Sequence, residues 1–73
     1  MKHERIQIDP EIMFGKPVIR GTRIPVDMIL RKPGEGMPQE EILDDRPRLT
    51  REDILAAQKF AADYITHEEF FYN

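Results

Sequence analysis

The sequence predicts a mainly α fold: three helices, the last two joined as a helix-turn-helix, behind a short N-terminal β-segment. Three observations point there. Ile6 and Ile8 alternate with polar neighbours, the period of a strand. From Val26 the apolar positions recur at i, i+3, i+4, the period of a helix. Pro33-Gly34, Gly36 and Pro47 then cut the remaining chain into three helical pieces.

Taken in order, Ile6 and Ile8 predict a half-buried strand ended by Asp9-Pro10. Val18-Ile19, after the Gly15-Lys16-Pro17 turn, is a second short strand, and Gly21 and Pro25 close the segment. Two strands alone are marginal in water, so they must lean on helices or on another chain. Val26, Ile29 and Leu30 define the buried face of a first helix. Pro33 should shorten or kink it, because proline lacks the N–H and clashes with the preceding turn. Pro38 suits an early helical position, with Glu40 and Glu41 in the first turn of a second helix that Pro47 stops near Asp45. Thr50 should cap the third helix, with Asp53 reaching back and Leu49 stapling against Ile54. Its expected inner face is Ile54, Ala57, Ala61, Tyr64 and Ile65, and it should run to about Thr66.

The 73 residues make one domain: a β-segment over 5–25, a three-helix unit over 26–66 and a tail over 67–73. A chain this short buries only about 60% of its unfolded surface, so a second copy is expected to complete the core as a homodimer. The longest apolar run, Ile54 to Ala57, is far short of the roughly 20 residues of a membrane span, and the charged start is not that of a signal peptide. Absence of cysteine suits a reducing cytoplasm and removes thiolate metal sites and thiol nucleophiles. There is no serine, and only three threonines and two tyrosines carry hydroxyls. That inventory predicts neither an enzyme nor a cofactor site. His3 and His67, in the terminal segments, are expected to be solvated.

Net charge is −3, but residues 1–36 carry +2 and residues 37–73 carry −5. A dedicated nucleic-acid binder is usually more basic, yet the split permits a local cationic patch. Gly15-Lys16-Pro17-Val18-Ile19-Arg20-Gly21-Thr22 has the residue types of a phosphate loop in the wrong order, so it reads as a turn between strands. Asp44, Asp45, Glu52 and Asp53 flank helix ends and read as caps and solvated surface. In the helix-turn-helix, Arg48 and Arg51 are placed to touch phosphate or guanine, and Gln58 to reach an adenine edge. The neighbouring acids oppose that contact. Arg20 and Arg23 are candidate partner contacts, as are the consecutive aromatics Phe70, Phe71 and Tyr72, a residue type enriched in interfaces.

The stretch Ile8-Asp9-Pro10-Glu11-Ile12…Gly15-Lys16-Pro17-Val18-Ile19-Arg20-Gly21-Thr22-Arg23-Ile24-Pro25-Val26 resembles the domain of unknown function 433 family, small bacterial and archaeal proteins. Glu40-Glu41-Ile42-Leu43-Asp44-Asp45…Pro47-Arg48-Leu49-Thr50…Asp53-Ile54…Ala56-Ala57 and Phe60-Ala61-Ala62 match its second half in register. The likeness covers roughly residues 5 to 65. It implies a homeodomain-like trihelical fold without catalytic residues. It also implies an antitoxin role of the VapB type, beside a gene for a PIN-like ribonuclease toxin, with operator DNA as a further partner. A standalone DNA-binding or protein-interaction regulator without a toxin is the alternative. Residue 33 is usually apolar and helical in that family, and a polar cap usually stands where Pro38 does.

Overall fold

The computed structural model describes residues 3–66. Two strands, β1 (Ile6–Gln7) and β2 (Val18–Ile19), precede α1 (Val26–Gly34), α2 (Gln39–Asp45) and α3 (Arg51–Thr66). The strands pair antiparallel, Ile6 opposite Ile19 and Gln7 opposite Val18. A long connection joins them and contains a 3-10 turn at Met13–Gly15. β2 also bridges Pro25, with Ile19 N donating to the Ile24 carbonyl and Val26 N to that of Pro17. The chain therefore enters α1 from a small sheet.

Ile6, Ile19, Val26, Ile29, Ile42, Leu49, Ile54 and Ala57 form the core. α1 packs on both α2 and α3, and β1 lies against α3. Every element places at least one residue in this cluster, so none of the short pieces has to be stable by itself.

The α3 cap forms as a reciprocal box. Thr50 N donates to Asp53 Oδ2 at 3.1 Å, and Asp53 N to the Thr50 hydroxyl at 3.2 Å. Leu49 and Ile54 on either side of the cap share the core.

Four expectations need correction. Pro33 does not end α1, which runs through it to Gly34. A proline in the last turn leaves only the Ile29 carbonyl without its helical donor. A Schellman-type end then satisfies the final carbonyls: Gly36 N donates to Pro33 O and Met37 N to Lys32 O, with Gly36 at φ 96°. Ile8 lies beyond β1 and is 61% exposed, because the strand ends before it. The inner face of α3 is rotated toward Asp53, Ile54, Ala57 and Phe60, leaving Tyr64 and Ile65 more than half exposed. Its last turn, from Tyr64 on, extends past the core, so apolar spacing there reports an exposed stripe. His3 is not solvated: its ring meets Phe60 edge-on at 5.2 Å, and Nε2 lies 3.0 Å from Asp63.

Candidate partner-binding and nucleic-acid surfaces

The segment Ile19-Arg20-Gly21-Thr22 is a tight turn closed by Thr22 N donating to Ile19 O. Gly21 sits at its third position with φ 80°, a conformation side-chain-bearing residues rarely adopt. The Thr22 hydroxyl donates to Ile19 O at 2.7 Å and accepts from Ile24 N at 3.0 Å. Arg48, on the α2–α3 connection, donates from Nη2 to Gly21 O at 2.9 Å. Arg20 donates to the Glu4 and Ile6 carbonyls at 2.7 and 3.1 Å, stapling the turn to β1. Of this motif, Arg23 alone is exposed with no hydrogen bond or ion pair among the described residues.

Between this turn and the α2–α3 connection lies a hollow of about 420 Å³. Gln7, Ile12, Thr22, Ile24, Arg23 and Arg48 line it, and no carboxylate does. In a chain of net charge −3 the hollow is a local cationic site. Arg48 is held by the Gly21 carbonyl, and Arg23 lines the hollow together with the apolar Ile12 and Ile24.

The outward face of α3 carries Arg51, Leu55, Gln58, Lys59 and Ala62, all exposed, together with Glu52. Their spacing is that of one helical stripe opposite the buried Asp53, Ile54 and Ala57. Arg51 and Gln58 thus share a face, whereas Arg48 turns to the Gly21 carbonyl and lines the hollow. Lys59 belongs to the same stripe, and its i+8 spacing from Arg51 was the available signal for including it.

Two features escaped the sequence reading. Asp53, expected as a solvated cap, is buried and accepts from Arg5 Nη1 at 3.0 Å, tying β1 to the start of α3. The connection between the strands presents Phe14, 99% exposed, with φ 59°. A left-handed phenylalanine costs about 1–2 kcal/mol of backbone strain, and here it buries nothing in return. The positive φ of Met13, 52°, extends that strain. Phe70, Phe71 and Tyr72, named as candidate contacts, lie outside the described residues. Among the described residues no cluster of three or more potential metal ligands occurs, and no helix is long and apolar enough to cross a membrane.

In architecture the chain is a small trihelical domain led by a two-stranded antiparallel ladder. The chain is a member of the family described as protein of unknown function (DUF433), whose model matches residues 6–61. The crystal structure of a DUF433 member from Anabaena variabilis superposes with a TM-score of 0.75 at 38% identity, covering 89% of this chain and 61% of that one. An uncharacterized protein of Archaeoglobus fulgidus is 61% identical over 28 residues, 38% of this chain and 78% of the relative. The uncharacterized protein y4eO of Sinorhizobium fredii is 36% identical over 58 residues, 80% of this chain but only 26% of that protein.

Proposed function

We propose that this domain is the antitoxin of a type II toxin–antitoxin pair and that it silences a PIN-like ribonuclease. The observation that carries this reading is the cationic hollow of Arg23 and Arg48 in an otherwise acidic chain. A Mg²⁺-dependent nuclease gathers carboxylates to hold its metal. A guanidinium placed among them competes with the cation and pairs bidentately with a carboxylate. Arg23 has no intramolecular partner to surrender among the described residues, so docking it breaks no contact of the fold. Arg48 is oriented in advance by Gly21, which lowers the cost of ordering it on binding.

The experiment is co-expression with the neighbouring PIN-like gene product. Wild-type protein is expected to restore growth and co-purify with the toxin. Arg23→Glu is expected to lose both, with an unchanged melting temperature. Equal rescue by folded R23E, or the lack of any nuclease gene beside this one, removes the antitoxin reading and leaves the standalone regulator.

The outward face of α3 supports an operator-binding half of the same function. Arg51 and Lys59 supply charge for phosphate, while Leu55 and Gln58 suit base edges. Fluorescence anisotropy on the upstream region should show Arg51→Ala weakening binding and lowering the salt slope by about one unit. Absence of wild-type binding at low salt, alone and with the partner, removes this half only.

A further inference from the structure

The guanidiniums of Arg23 and Arg48 line one hollow, and no carboxylate of the described residues lines it with them. Elsewhere on the fold cations have acidic neighbours: Arg5 lies 3.0 Å from Asp53 and Lys16 3.5 Å from Asp27. In the hollow the two positive charges are uncompensated. Arg48 commits one of its five N–H donors, to the Gly21 carbonyl. Arg23 commits none, and the half-buried Gln7 amide, also in the lining, has no hydrogen-bond partner among the described residues. The hollow therefore gathers many free donors, two full charges and no competing acid.

From this we infer that the hollow binds a doubly charged phosphate group, either the free ion or a phosphate monoester. A dianion neutralises both guanidiniums, whereas a single carboxylate leaves one charge unmatched. Its peripheral oxygens are strong acceptors, and the guanidinium fork matches their spacing. Ile12 and Ile24, in the same lining, thin the water around the charges and strengthen the attraction. No aromatic side chain lines the hollow, so a nucleobase finds no stacking surface there and the phosphate itself is the group recognised. The volume of about 420 Å³ falls within the roughly 300–1,000 Å³ of small-ligand sites. The inference goes beyond the antitoxin reading, because the ligand site exists in the free domain. A phosphate held there competes with any carboxylate that the same guanidiniums meet on a partner.

The test is an amide NMR titration of the isotope-labelled full chain at constant ionic strength, with inorganic phosphate and acetate as probes. Phosphate is expected to shift the amides of Gly21 to Ile24 and the side chains of Arg23 and Arg48, with a millimolar dissociation constant. Acetate should bind about tenfold more weakly. A short RNA with a terminal phosphate is then compared with the same RNA ending in a hydroxyl. Tighter binding of the phosphorylated RNA at the same amides supports the site and assigns it to nucleic-acid ends. Equal binding of the two RNAs, with inorganic phosphate still bound, supports it as a site for the free ion. Arg23→Ala should weaken phosphate binding about tenfold without moving the melting temperature, since its side chain has no partner among the described residues. Arg31→Ala removes an exposed arginine of α1 that does not line the hollow, and should leave phosphate binding unchanged. The inference is overturned if acetate binds as tightly as phosphate, if R23A and R31A lose equally, or if phosphate shifts no resonance at the hollow. Growth rescue by R23E removes the antitoxin reading and leaves this site standing. Absence of phosphate binding, with rescue still lost in R23E, does the reverse.

Discussion

Breaking the link between Arg5 and Asp53 is the most direct probe of how this sequence positions its third helix. The Asp53 side chain is 7% exposed and that of Arg5 52%. Its carboxylate does two jobs: Oδ2 caps the Thr50 N–H, and Oδ1 receives the Arg5 guanidinium. Asp53→Ala removes both. The lost cap costs about 1 kcal/mol. The charge-assisted bond adds about 1 kcal/mol, discounted because half-exposed Arg5 regains water. The sum, about 2 kcal/mol, corresponds to a fall in melting temperature of roughly 8–16 °C for a domain of this size. Arg5→Ala should cost about 1–2 kcal/mol, more than an exposed ion pair would, because it strands a buried carboxylate. The double variant should cost no more than Asp53→Ala alone, giving a coupling of about 1–2 kcal/mol. Asp53→Asn in the Arg5→Ala background should recover stability, since it removes the stranded charge. Urea unfolding followed by circular dichroism measures all four. If Arg5→Ala lies within about 0.3 kcal/mol of wild type and the coupling vanishes, the buried link does not stabilise the fold.

Two further substitutions examine the backbone. Pro33→Ala should stabilise the protein by about 1 kcal/mol, because a donor for the Ile29 carbonyl outweighs the freer unfolded chain; a lower melting temperature would contradict this. Gly21→Ala should destabilise by about 1–2 kcal/mol through its left-handed φ, although a Cβ there meets no atom within 4 Å, and calorimetry decides whether strain or space governs the site.

What the sequence revealed follows from what is local. The α2 and α3 boundaries and the Thr50–Asp53 box depend on residues three or four apart, and all were legible. The Pro33 expectation misjudged a penalty that depends on place: a proline at the eighth of nine helical residues, before a Schellman end, is cheaper than one in the middle. Ile8, Tyr64 and Ile65 carry the right period but stand where no element remains to cover them. Periodicity identifies a face without identifying its neighbour. Arg5 with Asp53 and His3 with Asp63 join positions 48 and 60 apart, and no local pattern signals such partners. Arg51 and Gln58 were legible as candidates because the i+7 relation is local; the hollow uniting Arg23 with Arg48 required the fold.

The Arg20-Gly21-Thr22-Arg23 string that carries the family likeness separates into three residues that hold the fold and one that the proposed function leaves free to meet a partner. Arg20 staples two carbonyls of the β1 strand segment, Gly21 supplies the left-handed turn, and Thr22 bonds twice within it. Substituting any of these three should perturb folding, so a loss of binding would say little about contact. Arg23 differs, being exposed and without a partner among the described residues. The same separation applies to the basic residues near α3: Arg48 orders the Gly21 turn, whereas Arg51 and Lys59 stand on the solvent face. Binding specificity is therefore best sought at Arg23, Arg51 and Lys59, where side-chain chemistry can change without cost to the core.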